Sequence, residues 1–325
     1  MTGSGAGLAL VTGASGFVGG HLVDALVASG RRVRCLVRPG SDRRWLDGTG
    51  VAYAVGTVDD VAAMRSALDG VDLVFHLAAL TTAPRESDYD RVNRGGVVRL
   101  VEAMASHPAR LVFCSSLAAG GPARAGRPLT EADAPAPIGP YGESKARAEQ
   151  VVLSSGMRAV VVRPPAVYGP RERDILSAFR LASHGLAIRT GPPGQQLAMV
   201  HVADLVRGLI AAALSATATG VYYISGGNHA WEEIVAAMGA AVGRPSHIIP
   251  LPAAVLQVAA RGARAWARLS GAKAVLTPER ARDLLQPAWT CDDSRARRDL
   301  GYAPAIALAD GMRATAEWYR AAGWL

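Results

Sequence analysis

Short apolar runs rich in β-branched residues alternate with longer amphipathic stretches through the first half of the chain. The apolar runs lie at 8–12, 32–37, 51–55, 72–77, 110–114 and 158–163, and helical patterns such as 17–29 and 85–105 separate them. Strands and helices that alternate in this way form βαβ units, which build a parallel sheet with helices on both faces. The pattern therefore predicts an α/β fold with a doubly wound parallel sheet.

The alternation loosens after Pro164, where several helical patterns follow one another. Joints rich in proline and glycine separate them, at 164–170, 190–194 and 245–252. We expect this later part to cap the sheet and form a pocket. The sequence thus predicts a larger unit at 1–167 and a smaller, C-terminal unit at 168–325, with segments at about 200–224 returning to the larger one.

Composition excludes several classes of protein. No apolar run approaches the roughly 20 residues that a membrane span requires, and the apolar run at 8–11 leads directly into glycines, which suits a strand better than a secretory leader. Three cysteines, Cys35, Cys114 and Cys291, are too few and too scattered for a disulfide scaffold or a metal site. We therefore expect no bound metal and a reducing, cytoplasmic compartment.

The formal net charge of +8 comes almost entirely from arginine, because the only lysines are Lys145 and Lys273. The arginines are dispersed and aromatic residues do not alternate with them, as they would on a surface that stacks nucleic-acid bases. We expect a small-molecule substrate and no nucleic-acid partner.

Three glycines follow the first predicted strand at a regular spacing, Gly13, Gly16 and Gly19, and an amphipathic helix extends from Val18 to about Ser29. One glycine permits a tight turn, one lets the backbone approach a pyrophosphate, and one lets the helix pack on the strand while its N-terminal amides face the phosphates. At the first strand-to-helix junction, this loop predicts a Rossmann-type dinucleotide-binding domain. The cofactor contacts expected here are Gly13, Ser15, Gly16, Phe17, Val18 and Gly19.

The residue that ends the second strand bears on the choice of cofactor. A carboxylate about 20 positions after the glycines would bind a ribose hydroxyl and favour NAD, but the chain has Arg38. Arg38, with help from Arg43 or Arg44, could pair with the 2′-phosphate of NADP, or it could be one more solvated arginine. We favour NADP(H) and leave NAD(H) open.

Tyr141 and Lys145 stand four residues apart on a predicted helix, and therefore share one of its faces. An ammonium beside a phenol stabilises the phenolate and lowers a pKa that is ordinarily about 10, so that Tyr141 could exchange a proton with a substrate oxygen. Ser116, at the end of the fifth predicted strand, could hold that oxygen by a hydrogen bond. Ser116, Tyr141 and Lys145 are the predicted catalytic residues.

Together with these residues, several further motifs resemble the extended short-chain dehydrogenase/reductases, a family of sugar-nucleotide epimerases, dehydratases, dihydroflavonol reductases and 3β-hydroxysteroid dehydrogenases. They are Phe75-His-Leu-Ala-Ala79, Asn93-x-x-Gly96, Arg163-Pro-Pro-Ala-Val-Tyr-Gly-Pro170, His201-Val-Ala-Asp204 and Asp299-Leu-Gly-Tyr302. The resemblance spans essentially the whole chain. It implies a homodimer built on the helices at 85–105 and 139–154, and it implies cofactor contacts at Thr57, Val58, Leu77, Ala78, Ala79, Tyr141, Lys145, Pro164 and Val167.

Two departures from the family pattern narrow the activity. Leu117 and Ala118 stand where sugar 4,6-dehydratases carry an acidic pair, and Leu197 stands where many UDP-sugar epimerases carry an arginine for the pyrophosphate. We therefore expect an NAD(P)-dependent oxidoreductase that acts on a secondary alcohol or ketone of an apolar substrate. One alternative is a nucleotide-sugar epimerase with tightly bound NAD, in which Arg171 or Arg173 would replace the missing arginine. The other is a catalytically silent NAD(P) sensor, against which the intact catalytic residues argue.

Two features admit more than one interpretation. Asn93 could orient a water in a proton relay to Lys145, or it could brace the backbone.

The segment 251–269 places apolar residues on one helical stripe with arginines opposite. The stripe consists of Leu251, Val255, Val258, Gly262, Trp266 and Leu269, and the arginines are Arg261, Arg264 and Arg268. Such a helix could contact a membrane surface or close over an apolar substrate, but we favour packing of the stripe on the core of the protein.

Overall fold

The computed structural model describes residues 7–83, 85–270 and 276–325, with the backbone alone at 267–270. Its strands are β1 (Leu8–Thr12), β2 (Arg32–Val37), β3 (Ala52–Val55), β4 (Leu73–His76), β5 (Arg110–Cys114), β6 (Ala159–Arg163), β7 (Ala166–Tyr168), β8 (Leu186–Arg189), β9 (Gln196–His201), β10 (Gly220–Tyr223), β11 (Gly227–Ala230), β12 (His247–Pro250) and β13 (Ala288–Trp289). Its helices are α1 (Phe17–Ala28), α2 (Val61–Leu68), α3 (Glu86–Tyr89), α4 (Gly95–Ala103), α5 (Leu117–Gly120), α6 (Pro140–Ser154), α7 (Leu176–Ser183), α8 (Val202–Leu214), α9 (Trp231–Val242), α10 (Ala253–Ser270), α11 (Pro278–Leu284), α12 (Ser294–Leu300) and α13 (Leu308–Ala321). A π-helical turn at Asp90–Arg94 joins α3 to α4.

The central sheet has seven parallel strands among the described residues, in the spatial order β3, β2, β1, β4, β5, β6, β10. The chain winds outward from β1 in both directions, so the strand order reverses between β1 and β4. This confirms the predicted doubly wound α/β fold. Ligands of such sheets bind in the crevice at the carboxyl ends of the strands, beside the reversal.

Both faces of the sheet are buried, which explains why its strands are continuous apolar runs rather than alternating ones. Neighbouring residues of a strand point to opposite faces. On β1, Val11 packs with Leu22 of α1 and the apolar side of α8, whereas Leu10 packs with α2, α4 and α6. Neither Leu10 nor Val11 is exposed to solvent.

The later part of the chain builds a second layer beside the sheet. Strand β9 pairs with β7, β11 and β13, and β8 pairs with β12. Helices α7, α9 and α13 pack around an apolar cluster that includes Phe179, Met238, Met312 and Tyr319. Helix α8 and strand β10 instead belong to the central sheet and its covering helices.

Helix α10 buries a different face from the one predicted. Leu256 and Ala260 pack against α11 and are almost fully buried, whereas Val255, Val258 and Trp266 are 51%, 66% and 68% exposed. Leu251, at the start of the stripe, packs against the same cluster, but for Val255, Val258 and Trp266 the favoured core interpretation is wrong, because α10 contacts the protein through Leu256 and Ala260. The side chains of Arg268 and Leu269 lie outside the described residues. Within the described ranges, no helix combines the length and apolar character needed to cross a bilayer.

Candidate active site

A cleft of about 620 Å³ opens at the carboxyl ends of β1, β4, β5 and β6. The glycine loop forms one wall, and the ends of β5 and β6 with the start of α6 form the other. Among the predicted residues, its lining includes Gly13, Ser15, Gly16, Phe17, Val18, Gly19, Leu77, Ala79, Ser116, Tyr141, Lys145, Pro164 and Val167. One space thus brings together the predicted catalytic residues and most of the predicted cofactor contacts.

The glycine loop is packed so tightly that side chains are sterically excluded. Gly13 has a φ of +73°, and a Cβ there would lie 2.6 Å from the backbone nitrogen of Ala78. A Cβ on Gly19 would lie 2.1 Å from the carbonyl oxygen of Gly13. Gly16 precedes α1 without a capping side chain, so the first amides of the helix are available to an anion.

Thr12 and His76 brace the ends of β1 and β4 behind the loop. The Thr12 hydroxyl lies 2.8 Å from Nδ1 of His76 and accepts a hydrogen bond from the Ala78 amide at 3.3 Å. Burial, together with the nearby Lys145 ammonium, lowers the pKa of His76 to about 3. His76 is therefore a neutral structural group at physiological pH.

Ser116 and Tyr141 meet at the floor of the cleft. Ser116 begins the short helix α5, where its hydroxyl accepts from the Ala118 amide at 3.2 Å. Tyr141 lies in the first turn of α6, after Gly139 and Pro140. Loss of solvent around its hydroxyl raises the pKa of Tyr141 to about 12, although a hydrogen bond with Ser116 acts in the opposite direction.

Lys145 lies one turn along α6 from Tyr141 and is only 2% exposed. Its ammonium donates to the Cys114 carbonyl at 2.6 Å and lies 4.4 Å from the centre of the Phe113 ring. Burial lowers the pKa of Lys145 to about 8. The expected lowering of the tyrosine pKa is therefore not observed, because burial dominates and the ammonium is directed at the Cys114 carbonyl.

A buried ion pair supports the helix that carries the catalytic residues. Glu149, one turn beyond Lys145, accepts two hydrogen bonds from the Arg163 guanidinium at 2.9 and 2.6 Å. Arg163 also donates to the Tyr223 hydroxyl at 2.9 Å. A charge removed from water requires this degree of pairing, and the pair fixes α6 to β6 and β10.

Asn93, in the π-helical turn, braces backbone rather than facing the cleft. Its amide accepts from the Leu80 nitrogen at 2.7 Å and donates to the Leu80 carbonyl and the Ser144 hydroxyl at 3.1 and 2.9 Å. The turn thereby positions the segment after β4 against α6. The bracing interpretation agrees with these contacts, whereas the relay has no support from them.

Four predicted cofactor residues are outside the cleft lining: Arg38, Thr57, Val58 and Ala78. Arg38 is exposed directly after β2, and Thr57 and Val58 follow β3. All three therefore lie at the carboxyl edge of the sheet, beyond the glycine loop. Ala78 instead packs under the turn at Gly13.

Two loop segments complete the cleft. They contribute Asp42, Arg44, Trp45, Arg171, Glu172, Arg173 and Asp174. The sequence predicted Arg44, Arg171 and Arg173 from them as possible phosphate contacts, but missed their other residues. The guanidinium of Arg171 stacks on Trp45 at 4.6 Å and pairs with Asp24 at 2.8 Å. The one available signal was their position, directly after β2 and after the Tyr168-Gly169-Pro170 motif.

The sequence matches one protein family model and is similar to two reductases. Residues 9–225 match the model of the NAD dependent epimerase/dehydratase family. The ceramide reductase of Caulobacter vibrioides is 31% identical over 322 residues, covering 98% of this chain and 96% of that protein. The 2-alkyl-3-oxoalkanoate reductase of Stenotrophomonas maltophilia is 32% identical over 326 residues, covering 94% of this chain and 97% of that protein.

A solved structure of MoeE5 in complex with UDP-glucuronic acid and NAD superposes with a TM-score of 0.75. It is 28% identical, and the match covers 97% of this chain and 100% of MoeE5. Relatives of this chain therefore include both reductases and a protein that binds a nucleotide sugar.

Proposed function

The chain belongs to the NAD-dependent epimerase/dehydratase family of extended short-chain dehydrogenase/reductases, and from that premise we propose that it is an NADP(H)-dependent reductase of a ketone on an apolar substrate. Membership makes it an enzyme of nicotinamide-dependent hydride transfer. The proposal adds the direction of hydride transfer, the preferred cofactor and the substrate class.

The cleft fits a dinucleotide. The closely packed glycines leave space for a pyrophosphate where side chains would otherwise lie, and the open N-terminus of α1 offers amides to it. Tyr141, Lys145, Pro164 and Val167 would border the nicotinamide end. When bound, the nicotinamide supplies the hydride.

The reductive direction is supported by the two reductase relatives and by the position of the Tyr141 hydroxyl beside Ser116. With a pKa of about 12, Tyr141 holds its proton at neutral pH. Ser116 orients the substrate carbonyl oxygen, and Tyr141 donates its proton to that oxygen as hydride reaches the carbon. The Lys145 side chain, next to the site, would stabilise the negative charge that develops on the oxygen.

The preference for NADP(H) is supported by the end of β2. Arg38 is exposed there, and no carboxylate occupies its position. A guanidinium suits a phosphate because it can form two charge-assisted hydrogen bonds. NAD is the cofactor in the MoeE5 complex, so the preference is a proposal about this chain alone.

Two observations support an apolar substrate. The names of two relatives point to one, and two arginines near the cleft are already engaged in other contacts. Ceramide and 2-alkyl-3-oxoalkanoate, the molecules in the two reductase names, both carry hydrocarbon chains. A nucleotide sugar instead carries a pyrophosphate whose charges must be matched. Arg171 is already paired with Asp24, Arg173 stacks on Trp324, and Leu197 packs in an apolar cluster.

Thermal unfolding with saturating NADPH tests the substrate class. We expect long-chain 3-oxo amides, 3-oxo acids or other hydrophobic ketones to raise Tm, and UDP- or dTDP-sugars to leave it unchanged. A rise in Tm with a nucleotide sugar, accompanied by epimerised product and constant cofactor absorbance, would replace the proposal with the epimerase alternative.

The proposal includes the organisation of the chain. We retain the division at residue 167, supported by the return of α8 and β10 to the central sheet. A homodimer through α4 and α6 is supported by exposed Val98 and Leu153 on these adjacent helices. The reduced cysteines of the described chain are compatible with a cytoplasmic location.

A further inference from the structure

We propose that α10 and the strand before it dock on the surface of an anionic membrane. Val255, Val258 and Trp266 lie on one face of α10, since they are separated by close to whole helical turns. All three are more than half exposed, while Leu256 and Ala260 hold the opposite side of the helix to the protein. An aliphatic and tryptophan-bearing face of this kind suits the boundary between lipid headgroups and acyl chains.

The apolar surface extends beyond the helix. Strands β8 and β12 pair with Leu186 opposite His247 and Ile188 opposite Ile249. Paired residues point to the same side of a sheet, and the leucine and both isoleucines are exposed. Because only Leu251 and Pro252 separate β12 from α10, the two apolar segments lie next to each other. We call Leu186, Ile188, Ile249, Val255, Val258 and Trp266 the docking surface.

The charge of this region selects an anionic bilayer as the occupant. No aspartate or glutamate lies between Glu233 and Glu279, a stretch that contains arginines and a lysine. Arg261 is exposed on α10 and has no ion-pair partner among the described residues. A symmetric contact of two copies through this face would bring the two Arg261 side chains close together, whereas anionic headgroups would neutralise Arg261.

The docking surface lies close to the catalytic residues. Arg264 of α10 pairs with Glu86 at 2.7 Å and with Glu279 at 2.8 Å. Glu86 begins α3, and Tyr89 at its end packs edge-to-face on Tyr141, with 6.1 Å between the ring centres. A bound bilayer would therefore lie beside the cleft. Delivery of an apolar ketone from that bilayer rests on the proposed function, whereas docking itself does not.

Sedimentation of the full-length protein with vesicles tests the docking. We expect the wild type to pellet with phosphatidylcholine vesicles containing 30% phosphatidylglycerol, and to remain in solution with pure phosphatidylcholine. Val258→Glu should lower the partition coefficient on anionic vesicles about tenfold or more, because an aliphatic side chain that would insert into the bilayer is replaced by a charged one. Arg261→Glu should lower it about fivefold or more, through lost attraction to the headgroups.

The matched controls are Leu214→Glu, at a leucine also 66% exposed but on α8, and Arg158→Glu, at an exposed arginine before β6. Both should bind like the wild type. The proposal would be overturned if the controls lost as much binding, if Val258→Glu bound like the wild type, or if the wild type did not bind. It would also be overturned if the protein self-associated through Val258 without vesicles.

Reduction of a short, water-soluble ketone is measured in parallel. Vesicle binding without any ketone reduction would refute the proposed function and leave docking intact.

Discussion

At the scale of single residues, Tyr141 combines a raised pKa with a position beside Ser116 at the cleft floor. Tyr141→Phe removes the transferable proton and keeps the ring. We expect kcat for ketone reduction to fall roughly 10²- to 10⁴-fold, while the Kd for NADPH measured by fluorescence titration stays near the wild-type value. A variant with undiminished kcat would show that another group donates the proton.

Arg38 is the residue on which the cofactor preference depends. Charge-assisted hydrogen bonds contribute about 1.5–3 kcal/mol, so Arg38→Ala should weaken NADPH binding about tenfold or more and change NADH binding little. Titration of both cofactors into wild type and variant measures the difference. Arg158→Ala, at an exposed arginine remote from the cleft, is the control. Equal losses for NADPH and NADH would remove the basis for the NADP(H) preference.

At the scale of elements, the close packing of β1 and α1 requires a residue without a side chain at Gly19. A Cβ at Gly19 would overlap the Gly13 carbonyl, whereas a Cβ at the adjacent Gly20 would have its closest neighbour at 3.5 Å. Gly19→Ala should therefore lower the free energy of unfolding by about 1–3 kcal/mol through overpacking and weaken cofactor binding.

Gly20→Ala is the matched control for this junction. It places the same methyl group on the same helix at ordinary van der Waals distances of 3.5 Å or more, and should be neutral or stabilise the protein by up to about 1 kcal/mol, since alanine favours helix. Urea denaturation with and without NADPH measures both variants. Identical behaviour of the two would show that the loop relaxes around the added methyl.

The elements of the central sheet could be predicted closely, because the burial of both faces leaves a continuous apolar signal. The predicted runs at 51–55 and 158–163 differ from β3 and β6 by one residue at their starts. The orientation of α10 could not be predicted in this way. Its sequence has one face with Val255, Val258 and Trp266 and another with Leu256 and Ala260. Which face packs against the protein depends on Ala281 of α11, which contacts the second face.

At the scale of the whole molecule, the cleft brings together segments that are distant in the chain. Strand ends predicted the glycine loop, Ser116 and Pro164, since every parallel strand of the sheet ends at the same edge. Trp45 could not be found by that rule, and Arg171 was predicted only as an alternative phosphate contact. They reach the cleft through loops whose path is set by tertiary contacts such as the Arg171 pair with Asp24.

The proposed dimer makes a prediction at this scale. Leu153 on α6 and Val98 on α4 are exposed, and an apolar contact between two copies would bury them. Leu153→Arg should convert the dimer into a monomer in sedimentation velocity, whereas Leu214→Arg, a control on α8, should not. A wild type that sediments as a monomer at micromolar concentration would contradict the proposed assembly.

The most direct test of the central claim is the fate of the hydride. The protein is incubated with NADPH carrying deuterium at both C4 positions of the nicotinamide and with a long-chain 3-oxo amide or acid, and the product is analysed by mass spectrometry. We predict one deuterium on the new carbinol carbon and one NADP⁺ formed for each product molecule. Absence of deuterated alcohol from every apolar ketone, together with epimerisation of a nucleotide sugar and no net oxidation of the cofactor, would contradict the claim.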